Sequence, residues 1–104
     1  MPYLVTTITY PTDKASQVAE TYLQALQQYP TDENLETELV PAAVKSTTDG
    51  LKVTSISEVK EGKLDGAYKY RIKFMVLFQP IEGLEYTVDV NLTVAEGLEV
   101  LGIS

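Results

Sequence analysis

Hydrophobic and polar positions change period along this chain, and each change marks an element. Pro2 to Tyr10 is rich in β-branched and aromatic residues and stops at Pro11, which predicts a first strand. Ala15, Val18, Ala19, Tyr22, Leu23, Leu26 and Tyr29 then recur at spacings of three and four. That spacing predicts a helix over about 13–29, capped by Thr12 or Asp13 and stopped by Pro30. The acidic, polar run 31–38 reads as a loop, and Pro41 to Lys45 as a short strand. Asp49-Gly50 marks a tight turn, because glycine tolerates a positive φ. Leu51 to Val59 reads as the next strand. Its alternation breaks near Ile56, as happens at a bulge or in a strand covered on both faces.

Residues 63–78 fit two periods. As a strand, Tyr68, Tyr70, Ile72, Phe74, Val76 and Phe78 share one face, with Lys69, Arg71 and Lys73 opposite. As a helix, Leu64, Ala67, Tyr68, Ile72, Met75 and Phe78 form a stripe, and Asp65, Lys69 and Lys73 an exposed row of i,i+4 charges. Intrinsic propensity favours the strand, whereas Glu61-Gly62-Lys63 suits a helix start. In the helix, Arg71 points away from Lys69 and lays its aliphatic stem along the core; in the strand the two are equally exposed. After Gly83, Leu84 to Leu92 alternate cleanly, with Tyr86, Val88, Val90 and Leu92 inward. Thr93-Val94-Ala95-Glu96 is a capping box that opens a last helix over about 94–101.

Composition narrows the chemistry. The 104 residues are expected to form one α+β domain over 1–104, large enough for a core without staples. There is no histidine and no cysteine, which removes Ser-His-Asp and Cys-His catalysis and Cys/His zinc sites. Cysteine absence also fits a reducing compartment, and the start lacks a basic, then apolar leader pattern, so a cytoplasmic protein is expected. A net charge of −7 opposes nucleic acid and anionic membranes as partners. No cofactor and no metal site is expected.

Val59-Lys60-Glu61-Gly62-Lys63-Leu64-Asp65 and Ile81-Glu82-Gly83-Leu84-Glu85-Tyr86, followed by Thr93-Val94-Ala95-Glu96, resemble a pattern of the dimeric α+β barrel superfamily. There, a strand ends, a G-K-L-x-x-A segment opens the second helix, and a glycine turn leads into the last strand. The resemblance implies a ferredoxin-like βαββαβ fold, here with a short C-terminal helix, and favours the helix over 63–78. The alternative is an antiparallel sheet with one main helix. The resemblance also implies two protomers pairing their sheets, with a cavity between sheet and helices. Several enzyme branches of that superfamily use histidines that have no counterpart here.

Two groups of residues carry candidate chemistry. Tyr10, Tyr68, Tyr70 and Tyr86 are candidates to line a pocket for a planar ligand, each with an apolar body and a hydroxyl; Tyr22 and Tyr29, on the apolar helix stripe, are assigned to the core. Lys69, Arg71 and Lys73, with Lys60 and Lys63, concentrate the positive charge and are candidates for an anion site, although a solvated face explains such a run more simply. Glu36 and Glu38 sit beside a polar loop and are set aside. The expected function is a homo-oligomeric domain that binds a small apolar or aromatic ligand. Two alternatives stand: a cofactor-independent enzyme of oxygenase or isomerase type using a Tyr or a carboxylate, and a structural protein-interaction module.

Overall fold

The computed structural model describes residues 1–103. The elements run β1 (Tyr3–Tyr10), a 3-10 turn (Thr12–Lys14), α1 (Ala15–Gln28), β2 (Glu36–Thr47), β3 (Gly50–Val59), α2 (Leu64–Val76), β4 (Glu85–Asn91) and α3 (Val94–Val100). The result is an α+β fold with a four-strand antiparallel sheet, ordered β2-β3-β1-β4, and three helices.

β1 sits second from one edge and carries the organising pattern. Leu4, Thr6, Ile8 and Tyr10 are buried, while Tyr3, Val5, Thr7 and Thr9 point the other way. The buried set meets both long helices: Ile8 and Tyr10 cluster with Val18 and Ala25 of α1 and with Phe74 and Met75 of α2, and Leu4 with Val59 and Ala67. Both helices therefore cover one face of the sheet. Thr12 and Asp13 do not cap α1 through their side chains; they lie in the 3-10 turn that precedes it.

Residues 64–76 are helical against their β-rich composition. Three large apolar groups explain the outcome: Phe74, Met75 and, just past the helix, Phe78 are almost fully buried against the sheet. Each such burial is worth about 1.5–3 kcal/mol, well above a propensity deficit of a few tenths per residue. Gly66 is tolerated because α2 passes close to the preceding loop, where a Cβ would lie 3.2 Å from Leu35 Cδ2.

The segment expected as a loop over 31–38 is shorter and more ordered than its composition suggests. The Asp32 side chain accepts from the Asn34 amide at 3.0 Å, the Asp32 carbonyl accepts from Leu35 and Glu36, and β2 begins at Glu36. The irregularity opposite Ile56 is real, but the surplus residues lie on β2, between Glu38 and Val40 and between Val40 and Ala43. On β4, Tyr86 and Val88 pack inward, whereas Val90 near the end of that edge strand and Leu92 just past it are exposed. Thr93 and Glu96 form the capping box of α3.

Candidate functional site

A cavity of about 210 Å³ lies between the helix-covered face of the sheet and the two long helices. Its floor is β1 and β3, through Thr6, Ile8 and Ser55; its roof is α1 and α2, through Val18, Tyr22 and Phe74. Six aromatic rings contribute to the wall. Tyr22 meets Phe74 edge-on at 6.2 Å between centroids, Phe74 tilts against Phe78 at 5.8 Å, and Tyr29 stands perpendicular to Tyr70 at 5.7 Å.

One buried ion pair interrupts this apolar wall. Arg71 of α2 donates from Nη2 to Glu36 Oε1 of β2 at 2.7 Å, and the two side chains are only 12% and 4% exposed. The guanidinium also stands 5.3 Å from the Phe74 ring centroid. Its Nε–H has no partner, and neither has the hydroxyl of Thr6, although both atoms are buried. A buried donor left unpaired costs about 1–3 kcal/mol, and both of these atoms belong to residues of the cavity wall.

The candidate residues separate in space. Tyr10 and Tyr70 line the cavity; Tyr68 is exposed on the outer side of α2, and Tyr86 lies outside the cavity wall, its hydroxyl accepting from Gln79 Nε2 at 3.1 Å. Tyr22 and Tyr29, assigned to the core on their spacing, line the cavity as well. The basic run is dispersed by the helix: Lys69 pairs with Asp65 at 3.1 Å in solvent, Lys73 is exposed, and Arg71 turns inward to Glu36. These three cations do not converge on one point. Glu36 and Glu38, set aside on sequence, are both part of the cavity wall. Thr6 also escaped notice, although it falls in phase with Leu4 and Ile8, and a hydroxyl among inward positions is a readable signal.

Tyr70 closes the loop side of the cavity. Its hydroxyl donates to the Pro30 carbonyl at 2.5 Å, which ties α2 to the chain leaving α1. Burial pushes its phenol above the ordinary value of 10, with the nearby Asp32 carboxylate adding to the effect. A phenol in that state remains protonated and is already committed to a carbonyl.

No protein-family model, curated protein or solved structure matches the chain. Among the described residues, no group of three or more His, Cys, Asp or Glu side chains gathers as around a metal ion. No described helix is long and apolar enough to cross a membrane.

Proposed function

We propose that this chain is a ligand-binding domain that holds a small, largely apolar ring compound between its sheet and its two long helices. The observation that carries this reading is the cavity of about 210 Å³, rich in aromatic rings, whose lining residues Thr6 and Arg71 each hold a buried, unpartnered polar atom. A wholly apolar cavity of about 150 Å³ takes up benzene, so this volume suits a single ring with a short substituent. Titration with isopropylbenzene, followed by amide chemical shifts, tests it. Saturable shifts at residues around Ile8, Val18 and Phe74 are expected, and Val18→Phe, which puts a ring into the cavity, should remove them. A spectrum unmoved at millimolar probe overturns the reading.

The enzymatic alternative draws less support. Tyr70 is a protonated phenol engaged with Pro30, and Glu36 is an acceptor engaged by Arg71. Neither is disposed to take a proton from a bound molecule.

We infer further that the chain follows the ferredoxin-like βαββαβ plan and works as a homodimer joined through the uncovered sheet face. Support for the plan comes from the order of elements and from both long helices sharing one face. Support for pairing comes from the other face, whose register forms a grid. One row reads Lys45, Lys52, Thr9, Glu85; a parallel row reads Val40, Ile56, Val5, Asp89. Lys45 and Lys52 thus sit towards β2 and Glu85 and Asp89 on β4, with an apolar strip of Val40, Ile56 and Val5 and a row of Ala43, Thr54, Thr7 and Thr87 between the two. A second copy turned face to face, with its β4 over this β2, sets carboxylates over lysines. The free chain also exposes 6,636 Å², against about 5,800 Å² for a compact monomer of its mass. Light scattering at tens of micromolar should report a dimer, and Val5→Lys should dissociate it; a monomer under those conditions removes the pairing.

A further inference from the structure

We propose that the cavity selects for charge as well as size, taking a neutral molecule with an oxygen acceptor, of carbonyl or ether type, and rejecting carboxylates and amines. The proposal rests on the ligand-binding reading above and goes on to name the ligand's chemistry.

The first observation is the state of Arg71. Its positive charge is already matched by Glu36 at 2.7 Å, but its Nε–H is buried and unpaired. A guanidinium N–H is a donor only, so what the site lacks is an acceptor, not an anion. The second observation is the charge of the wall. Its charged side chains are Glu36, Glu38 and Arg71, two carboxylates and one cation. An entering carboxylate meets one guanidinium already paired with the buried Glu36, and it has to shed its water to do so. Burying a charge without a free counter-charge is expensive.

An ammonium fares little better. Glu38 is exposed, so its attraction is screened by solvent, and the ring face of Phe74 already carries the Arg71 guanidinium. An ammonium is also a donor, so Arg71 Nε remains unmet. A neutral carbonyl oxygen avoids both costs. It accepts from Arg71 Nε without bringing a charge out of water, and the ring to which it is attached packs on Tyr22, Phe74 and Phe78. The Thr6 hydroxyl, which donates or accepts as it rotates, offers a second contact to whichever polar group faces the sheet.

The test uses four single-ring probes of equal heavy-atom count on the intact chain: acetophenone, isopropylbenzene, benzoate and 1-phenylethylamine. Acetophenone is expected to bind roughly five-fold tighter than isopropylbenzene, the gain of one hydrogen bond, and the two ions more weakly than either. In the unaltered protein the Arg71 Nε–H resonance should shift on adding acetophenone and stay in place with isopropylbenzene. Arg71→Lys, which keeps a cation for Glu36 but removes Nε, should erase the ketone's advantage, so that this variant binds acetophenone no tighter than isopropylbenzene. Tighter binding of benzoate or the amine overturns the proposal. So does a ketone no better than the hydrocarbon with the Nε–H resonance unmoved, an outcome that leaves the ligand-binding reading standing. Failure of all four probes to bind at millimolar concentration overturns both.

Discussion

Arg71 and Glu36 are 35 positions apart in the chain, yet Nη2 and Oε1 meet at 2.7 Å and tie α2 to the outer strand β2. Neither group has enough water around it to stand alone. Removing one partner strands the other, which costs about 3–5 kcal/mol for a buried pair. Glu36→Leu and Arg71→Met should each lower unfolding free energy by about that amount in urea titrations. The double replacement Glu36→Leu with Arg71→Met should cost well below the sum, since no unpaired charge remains. Additive losses would show that the two groups act independently.

Gly50 begins β3 with φ of 152°, directly beneath the backbone of Tyr10. A Cβ there would fall well inside the van der Waals contact of the Tyr10 carbonyl oxygen, which is backbone and has little room to yield. Gly50→Ala is therefore expected to destabilise by about 2–3 kcal/mol and to displace the Tyr10 ring from the cavity wall. Thermal melts and the Tyr10 ring shifts measure both effects; a neutral substitution would mean that the β2–β3 turn relaxes freely.

Tyr70 should ionise above the ordinary phenol value. Its phenol is raised above 10 by burial, so the stability it brings is complete below pH 10 and is lost as pH climbs through the higher folded-state value. Absorbance titration near 295 nm should show a late phase that Tyr70→Phe deletes. Persistence of that phase in the variant assigns it elsewhere.

α3 is tied to the start of the chain in a defined pH window. The terminal amine of Met1 donates to Glu96 Oε2 at 2.7 Å, and this bond holds the Glu96 carboxyl below its ordinary 4.5 and the amine above its ordinary 8.0. A lowered acid stabilises above 4.5 and loses that effect as pH falls through its folded value. A raised amine stabilises below 8.0 and loses it as pH rises through its own. Amide exchange in residues 94–100 should thus be slowest, after correction for intrinsic rates, between those limits. Glu96→Gln should flatten the dependence; an unchanged profile would assign it to other groups.

The parts of the fold that were legible in sequence are those where one local period dominates. The α1 stripe, the alternation of β1 and the Thr93–Glu96 capping box all express contacts between near neighbours. Residues 64–76 carried two periods at once, and the deciding contacts of Phe74 and Met75 with Ile8 and Tyr10 lie more than 60 positions away. The site was harder to see for the same reason. Tyr22 lay in the helical stripe that ordinarily marks core, and nothing local reveals that its neighbours leave a cavity beside it. Glu36 was hidden by its composition, since an acidic residue among Asp32, Glu33 and Asn34 reads as solvated until Arg71 arrives from the other side of the molecule.

The surplus residues of β2 bear on the solubility of the chain at high concentration. An outer strand offers its unused amides and carbonyls to any other extended chain, and flat, regular edges recruit such strands into aggregates. Two breaks in register and Pro41, which has no amide hydrogen to offer, interrupt that edge at its middle, and Lys45 adds charge beyond them. An incoming strand can register with only a few residues before its hydrogen bonds fall out of step. The irregular edge thereby disfavours strand addition along β2.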